Sequence, residues 1–278
     1  MIQAVRDENA AALIEVARLE WEKFESGSPE AVAEEYFRWK DARGNTFLHL
    51  DHVPVIDEDG NRIDFLPIIE RALKAGYESV MVDGSRLPLD DNIRSTRLVA
   101  DLAHSYGAAA EAELGAVAGH EAGGIGMSYE ELFTSRKGFT DPDEAARFAV
   151  ESGCDWLSVA AGSFHGSISA DAGVRLQKKP EARLDIEHIT RLREATGGMP
   201  LVLHGGSGIR REYIVAAVRQ GITKINVGTD IRQPYEAAIR DGGGVDAACE
   251  QVYQKTRWVI RDFLGISGNC ELITGGNE

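Results

Sequence analysis

Three histidines stand where hydrophobic runs end. His52 closes Leu48-His49-Leu50-Asp51-His52, His165 lies in Gly162-Ser163-Phe164-His165-Gly166, and His204 follows Leu201-Val202-Leu203. The runs have the small, branched character of strands buried on both faces. Three neutral imidazoles leave a bound Zn²⁺ with its full charge and an open coordination position. Such an ion is a Lewis acid able to polarise a carbonyl. One histidine at a strand end reads equally well as a buried, hydrogen-bonded core residue. Three of them, two followed by glycine, favour a metal centre, and Asp51 then reads as an acid or base beside it. His49 shares the strand face of Asp51 and either supports that site or packs the interior. His104 and His188 fall on predicted helices and read as structural, and His120 stays unassigned.

The carboxylates follow the same logic. Glu111 and Glu113 are two apart on one predicted strand and share a face. Two carboxylates pointing into a closed interior are costly unless a cation or donors lie near. They read as supports or transient ligands of the metal, against the plainer reading of a solvated strand end. Asp83, in Val82-Asp83-Gly84-Ser85, is a similar candidate, with a simple turn as its alternative. Gly205-Gly206-Ser207-Gly208-Ile209 and Asn226-Val227-Gly228-Thr229 each follow a strand and precede a helix. Backbone N–H groups at such junctions cradle phosphate, and barrels often place a phosphate site after their last two strands.

These residues need elements to position them. Strands are predicted at 46–52, 79–82, 108–114, 156–160, 201–203 and 224–227, with helices at 64–74, 89–106, 141–152, 185–196 and 210–220. Asp141 is the expected N-cap of its helix, with Pro142 following it. Upstream, residues 2–10 read as a helix tail, 11–17 as either its continuation or a buried strand, and 30–41 as a helix opened by Ser28-Pro29. After residue 230 the chain reads as helical around Gly242-Gly243-Gly244, with a polar tail expected to fray. Regular alternation means βαβ units and a parallel sheet. No glycine-rich dinucleotide fingerprint follows an early strand, and no composition break divides the chain. The expectation is one (β/α) barrel domain over residues 1–278, with its chemistry at the C-terminal ends of the strands.

Composition narrows the partners. With 30 basic and 45 acidic residues the net charge is −15, which argues against nucleic acid or an anionic membrane. A small anionic substrate remains compatible, because local backbone N–H groups can reverse the field in a pocket. Cys154, Cys249 and Cys270 are odd in number and lack CxxC spacing, as expected of reduced thiols in the cytoplasm. No apolar run approaches the roughly 18 residues of a membrane span, and no secretory h-region opens the chain.

Taken in order, Leu48-His49-Leu50-Asp51-His52, Ser79-Val80-Met81-Val82-Asp83-Gly84-Ser85, Glu111-Ala112-Glu113-Leu114-Gly115, Gly162-Ser163-Phe164-His165-Gly166, Leu203-His204-Gly205-Gly206-Ser207-Gly208 and Lys224-Ile225-Asn226-Val227-Gly228-Thr229 form a series. In this series, over about residues 46–240, the chain resembles the class II, metal-dependent ketose-bisphosphate aldolases, which include fructose- and tagatose-bisphosphate aldolases. The resemblance implies a (β/α)8 TIM barrel and Zn²⁺ on His52, His165 and His204. It implies that Asp51 is the acid/base on the aldehyde-side hydroxyl and that Glu121 is the loop acid handling the proton at the nucleophilic carbon. Asp83 and Glu113 match an alternative metal position, and Gly166, Gly205, Ser207, Asn226 and Thr229 match phosphate and dihydroxyacetone contacts. Carbonyls near Gly166 and Gly205 match a site for a monovalent cation, Na⁺ or K⁺. The implied reaction is reversible cleavage of a phosphorylated ketose to dihydroxyacetone phosphate, or a similar ketone, and an aldehyde through a Zn-stabilised enediolate. A homodimer or homotetramer is usual in the family.

The chain also departs from the pattern. Only about 45 residues precede the first matching strand, so 11–17 best fits the family's second strand, and the first strand is expected to be missing, either through truncation or because this barrel closes imperfectly. Leu19-Glu20-Trp21-Glu22-Lys23-Phe24 is unlike the family's distal-phosphate segment, Asp57-Glu58-Asp59-Gly60 is an acidic insertion, Arg86 replaces a common histidine, and Gly228 stands where some members carry an acid. One phosphate or two therefore stays open. Two rival readings are a barrel hydrolase using the same histidines to activate water, and an inactive truncated paralogue with a binding role.

Overall fold

The branched, buried runs assemble into one parallel sheet. The computed structural model describes residues 1–23, 26–40, 44–115, 129–163 and 182–274. Among these, seven strands are paired in chain order: β1 (Ala12–Ala17), β2 (Thr46–Pro54), β3 (Ser79–Asp83), β4 (Ala109–Leu114), β5 (Trp156–Val159), β6 (Leu201–Leu203) and β7 (Ile222–Ile225). Consecutive order with helical crossovers is the pattern of a sheet wound in one direction. The sheet curls far enough that Lys224 Nζ of β7 lies 2.8 Å from Glu15 Oε1 of β1. The ladder itself does not join β1 to β7 among the described residues.

The ambiguous stretch 11–17 is a strand. Helix α1 (Ile2–Asp7) stops before Asn9, whose φ of 47° is left-handed, and Ala12 N–H then donates to Asn45 O at 3.1 Å. Between β1 and β2 lie α2 (Arg18–Lys23) and α3 (Pro29–Trp39), the latter capped by Ser28. Helices α4 (Phe65–Lys74) and α5 (Leu89–Ser105) follow β2 and β3. Helices α6 (Tyr129–Ser135) and α7 (Pro142–Glu151) precede β5, and Asp141 Oδ1 accepts from Asp143 and Glu144 N–H as expected of its cap. Helices α8 (Ile186–Ala195), α9 (Arg211–Arg219), α10 (Thr229–Arg240) and α11 (Val245–Trp258) complete the layer, with a π-helical turn at Val259–Leu264. The tail does not fray through α12 (Cys270–Thr274): Asn269 Oδ1 accepts from Ala11 N–H at 2.9 Å, and Cys270 N–H donates to Asn9 O.

The two largest blocks of the core lie between sheet and helices. Leu48, Leu50, Val80 and Val82 pack with Ile69 and Val99 of α4 and α5, and Leu157, Leu201 and Leu203 pack with Phe148, Ile189 and Ile214 of α7 to α9. Each large side chain buried completely contributes roughly 1.5–3 kcal/mol. Inside the curl the residues turn polar: Glu15, His49, Glu111 and Lys224 replace the layered aliphatics of an ordinary barrel interior. No helix among the described residues is long and apolar enough to cross a membrane.

Candidate metal centre

In a regular strand, Asp51 and His52 would face opposite sides. The β2–β3 register slips between Leu50 and Val53, and His52 adopts a φ of 41°. A bulge of this kind re-aims a side chain. A non-glycine residue held there costs about 1–3 kcal/mol, and such strain collects at functional sites. Its result is that Asp51 and His52 converge on one cluster, with Asp51 Oδ2 3.8 Å from His52 Nε2.

His52 Nε2 lies 2.8 Å from His204 Nδ1, joining the end of β2 to the turn after β6. Behind it, His204 Nε2 meets Glu111 Oε1 of β4 at 2.9 Å. An ionised carboxylate can only accept, so this contact puts the His204 proton on Nε2 and leaves Nδ1 as the lone-pair atom. A carboxylate holding a histidine in this way is the usual support of a metal-ligating imidazole. On the other side, His52 Nδ1 lies 3.7 Å from both Asp83 Oδ2 and Glu113 Oε2.

Charge in this cluster is set by burial working against neighbours. Burial alone would lower the pKa of His52, but Asp51, Asp83 and Glu113 raise it to about 10. Burial would raise Asp51, yet His52, His49, His204 and Lys224 hold it well below the usual carboxylate range. Asp83 is brought to about 2, against burial, by His52 and Ser85. Glu111 also falls to about 2, with the Lys224 ammonium overcoming its burial. Glu113 behaves in the opposite way: burial, reinforced by Asp83, pushes it well above its ordinary value. The pocket thus demands positive charge, and the extra proton on His52 supplies part of it.

A divalent metal fits this demand. The ligand atoms of Asp51, His52 and His204, and separately those of His52, Asp83 and Glu113, lie within 4.8 Å of one another. Glu113 Oε2 is buried with no hydrogen-bond partner among the described residues, an acceptor that a cation would satisfy. Imidazole and carboxylate donors together suit zinc and its neighbours in the first transition series.

Other expected residues lie nearby. Asn226, expected among the phosphate and dihydroxyacetone contacts, points Nδ2 at Asp51 Oδ1 and Oδ2, at 3.3 and 3.4 Å. Ser207 Oγ accepts from Asp230 N–H at the start of α10, where Thr229 is the first helical residue. Gly205 is left-handed at φ 71°, and a Cβ on Gly206 would come within 2.6 Å of Ile225 and 2.9 Å of Asn226 O. The two glycine-rich turns are therefore stitched to each other. His165, Gly166 and Glu121 lie outside the described residues. His104 pairs with Asp155, and His188 bonds Thr140 O, both away from the cluster. The acidic insertion is a small hairpin closed by the Ile56–Arg62 bridge, and Arg86 Nη1 donates to Asp57 O at 2.6 Å. That contact gives the unusual arginine its place.

Sequence reading missed Glu15 and the use made of Lys224, which lies 2.8 Å from Glu15 Oε1 and 2.9 Å from Glu111 Oε2. Charged residues within otherwise buried strands were the signal. Set between two carboxylates, with its pKa raised despite burial, Lys224 stays an ammonium and has no lone pair for a Schiff base.

Known proteins share this chain's sequence pattern and fold. Fructose-bisphosphate aldolase from Streptococcus pneumoniae is 36% identical over 210 residues, covering 76% of this chain and 61% of that protein. The chain thus spans about three fifths of that relative. The YdjI aldolase from Escherichia coli K12 superposes with a TM-score of 0.69 at 26% identity, covering 97% of this chain and 87% of that one. Fructose-bisphosphate aldolase from Campylobacter jejuni shares the fold, with a TM-score of 0.69 at 18% identity and coverage of 96% and 87%. The sequence model for class-II fructose-bisphosphate aldolase matches residues 1–264, and the chain belongs to that family.

Proposed function

We propose that this chain is a metal-dependent aldolase that reversibly cleaves a phosphorylated ketose to dihydroxyacetone phosphate, or a similar ketone, and an aldehyde. The observation that carries the reading is the ionised Asp51 beside the His52–His204 pair, oriented by Asn226. His52 and His204, with His165 as third ligand, would hold zinc, and Asp83 and Glu113 form an alternative position around His52. The bound ion would supply Lewis acidity at the ketone oxygen and stabilise negative charge developing there. In cleavage, Asp51 takes the proton from the hydroxyl that becomes the aldehyde carbonyl. The bonding pair stays on the ketone fragment, and Glu121 returns a proton to that carbon. Asn226 keeps the Asp51 carboxylate turned toward the reacting hydroxyl.

The phosphate and the dihydroxyacetone fragment are read as lying against Gly166, Gly205, Ser207, Asn226 and Thr229, with a Na⁺ or K⁺ ion on nearby carbonyls. We read the sheet as that of a single-domain (β/α)8 barrel, seven of whose strands lie among the described residues. A homodimer or homotetramer and a cytoplasmic setting complete the reading, the latter supported by an odd count of cysteines without CxxC spacing. A panel of ketose mono- and bisphosphates, assayed with zinc, tests the function and the phosphate number together. The expected products are a ketone phosphate and an aldehyde, lost on chelation. Full turnover in excess chelator, or release of inorganic phosphate instead, overturns the reading.

A further inference from the structure

Below the proposed metal position lies a second cluster of ligand atoms. One ligand atom each from His49, Asp51 and Glu111 falls within 4.8 Å of the other two. His49 is 0% exposed, and its Nε2 has no hydrogen-bond partner among the described residues. It lies 3.6 Å from Glu111 Oε2 and 3.7 Å from Asp51 Oδ1, aimed into the cluster. One imidazole and two carboxylates, buried and convergent, have the composition of a divalent-cation site. One of its three members, Glu111, already meets a positive charge. Lys224 Nζ stands 2.9 Å from Glu111 Oε2, anchored from the other side by Glu15 at 2.8 Å.

We propose that Lys224 is a tethered cation occupying this lower cluster, and that it confines the divalent ion to the upper cluster around His52. The ammonium excludes a metal from the lower cluster in two ways. It fills the space beside Glu111 Oε2, and it repels a second cation across a desolvated distance where Coulomb forces are strong. It also balances Glu111, which is then left as a fixed acceptor for His204 Nε2. Lys224 acts through Glu111 and so is a positioning residue. Asp51 is common to both clusters, so removing the ammonium would leave a bridging carboxylate between two cation positions, as in two-metal sites.

The inference rests on the upper cluster being the metal centre, and the count of bound metal separates the two claims. The variant Glu15→Gln/Lys224→Met removes the cation together with its outer anchor and keeps the net charge of the chain. Mn²⁺ bound per folded chain is measured by equilibrium dialysis with elemental analysis, for the native protein and the variant. The native protein is expected to bind Mn²⁺, and the variant one equivalent more, with the extra equivalent lost when Glu111→Gln is added. Native protein that binds no divalent ion overturns the metal centre itself. Native protein that binds metal, with a variant that binds the same number, overturns only the role of Lys224. If the double variant does not fold, the same count on Lys224→Gln decides the matter on the same terms.

Discussion

At the scale of single residues, the reactivity of Asp51 follows from what surrounds it. Asn226 donates toward both its oxygens, and neighbouring cations hold it ionised. Asp51→Asn keeps the shape and removes the base. Turnover of the ketose phosphate is expected to fall about 10²–10⁴-fold, the usual loss on removing a general acid–base group. Bound metal, counted by elemental analysis, should stay above half the native value. His52 makes a second prediction. Its metal-free pKa of about 10 means that it carries a proton at pH 8 which must leave before Nε2 can ligate. Metal affinity is therefore expected to rise with pH up to about 10, with proton release seen as a buffer-dependent heat in titration calorimetry. Glu113 runs the other way. Its folded pKa is raised, so in the metal-free protein it favours the fold at low pH and loses that contribution as pH rises past its unfolded value. Glu113→Gln should then raise the metal-free Tm at neutral pH while weakening metal binding. A lowered metal-free Tm would contradict the stated direction of the shift.

At the scale of elements, the bulge in β2 and the stitched turns after β6 and β7 place the site. The strands themselves were legible, because buried parallel strands carry a continuous branched signature. The caps of α3 and α7 at Ser28 and Asp141 were legible for a local reason, since a side-chain oxygen and a following proline define a helix start. The bulge was not, because a slip of register depends on the partner strand and leaves no mark in the local pattern. Neither was the packing of Gly206 against Asn226. A Gly-rich turn suggested a phosphate cradle, whereas the close approach of two turns also demands glycine there. Gly206→Ala would place a methyl 2.6 Å from Ile225 and 2.9 Å from Asn226 O. It should displace Asn226 and lower kcat by roughly tenfold, the scale of one misplaced hydrogen bond of about 1.4 kcal/mol. The metal count should be unchanged. Native kcat in the folded variant would mean that Asn226 does not orient Asp51.

Across the whole molecule, the sheet is held in its curl by charge as well as by packing. Sequence order alone announced a wound parallel sheet, and the polar residues at strand ends announced which end carries the chemistry. What linked β1 to β7 could not be read, because Glu15 and Lys224 are 209 positions apart, from 224 − 15, and no local pattern couples them. Their ion pair joins the two edge strands of the ladder formed by the described residues. Nearly buried at 9% exposure, the Lys224 side chain also serves Glu111, so its loss leaves one fully buried carboxylate and one partly buried one without a cation. Removing one partner of a buried pair costs about 3–5 kcal/mol, mostly as the penalty on the charge left behind. Lys224→Met should lose about that much in urea denaturation at neutral pH. Glu15→Gln should lose less, since Lys224 keeps Glu111. If the seam works as a pair, the double variant loses less than the sum of the two single changes, because the second substitution removes a charge that the first had stranded. Strict additivity would mean that the contact between the two edge strands contributes nothing to the curl, and that packing alone brings β7 round to β1.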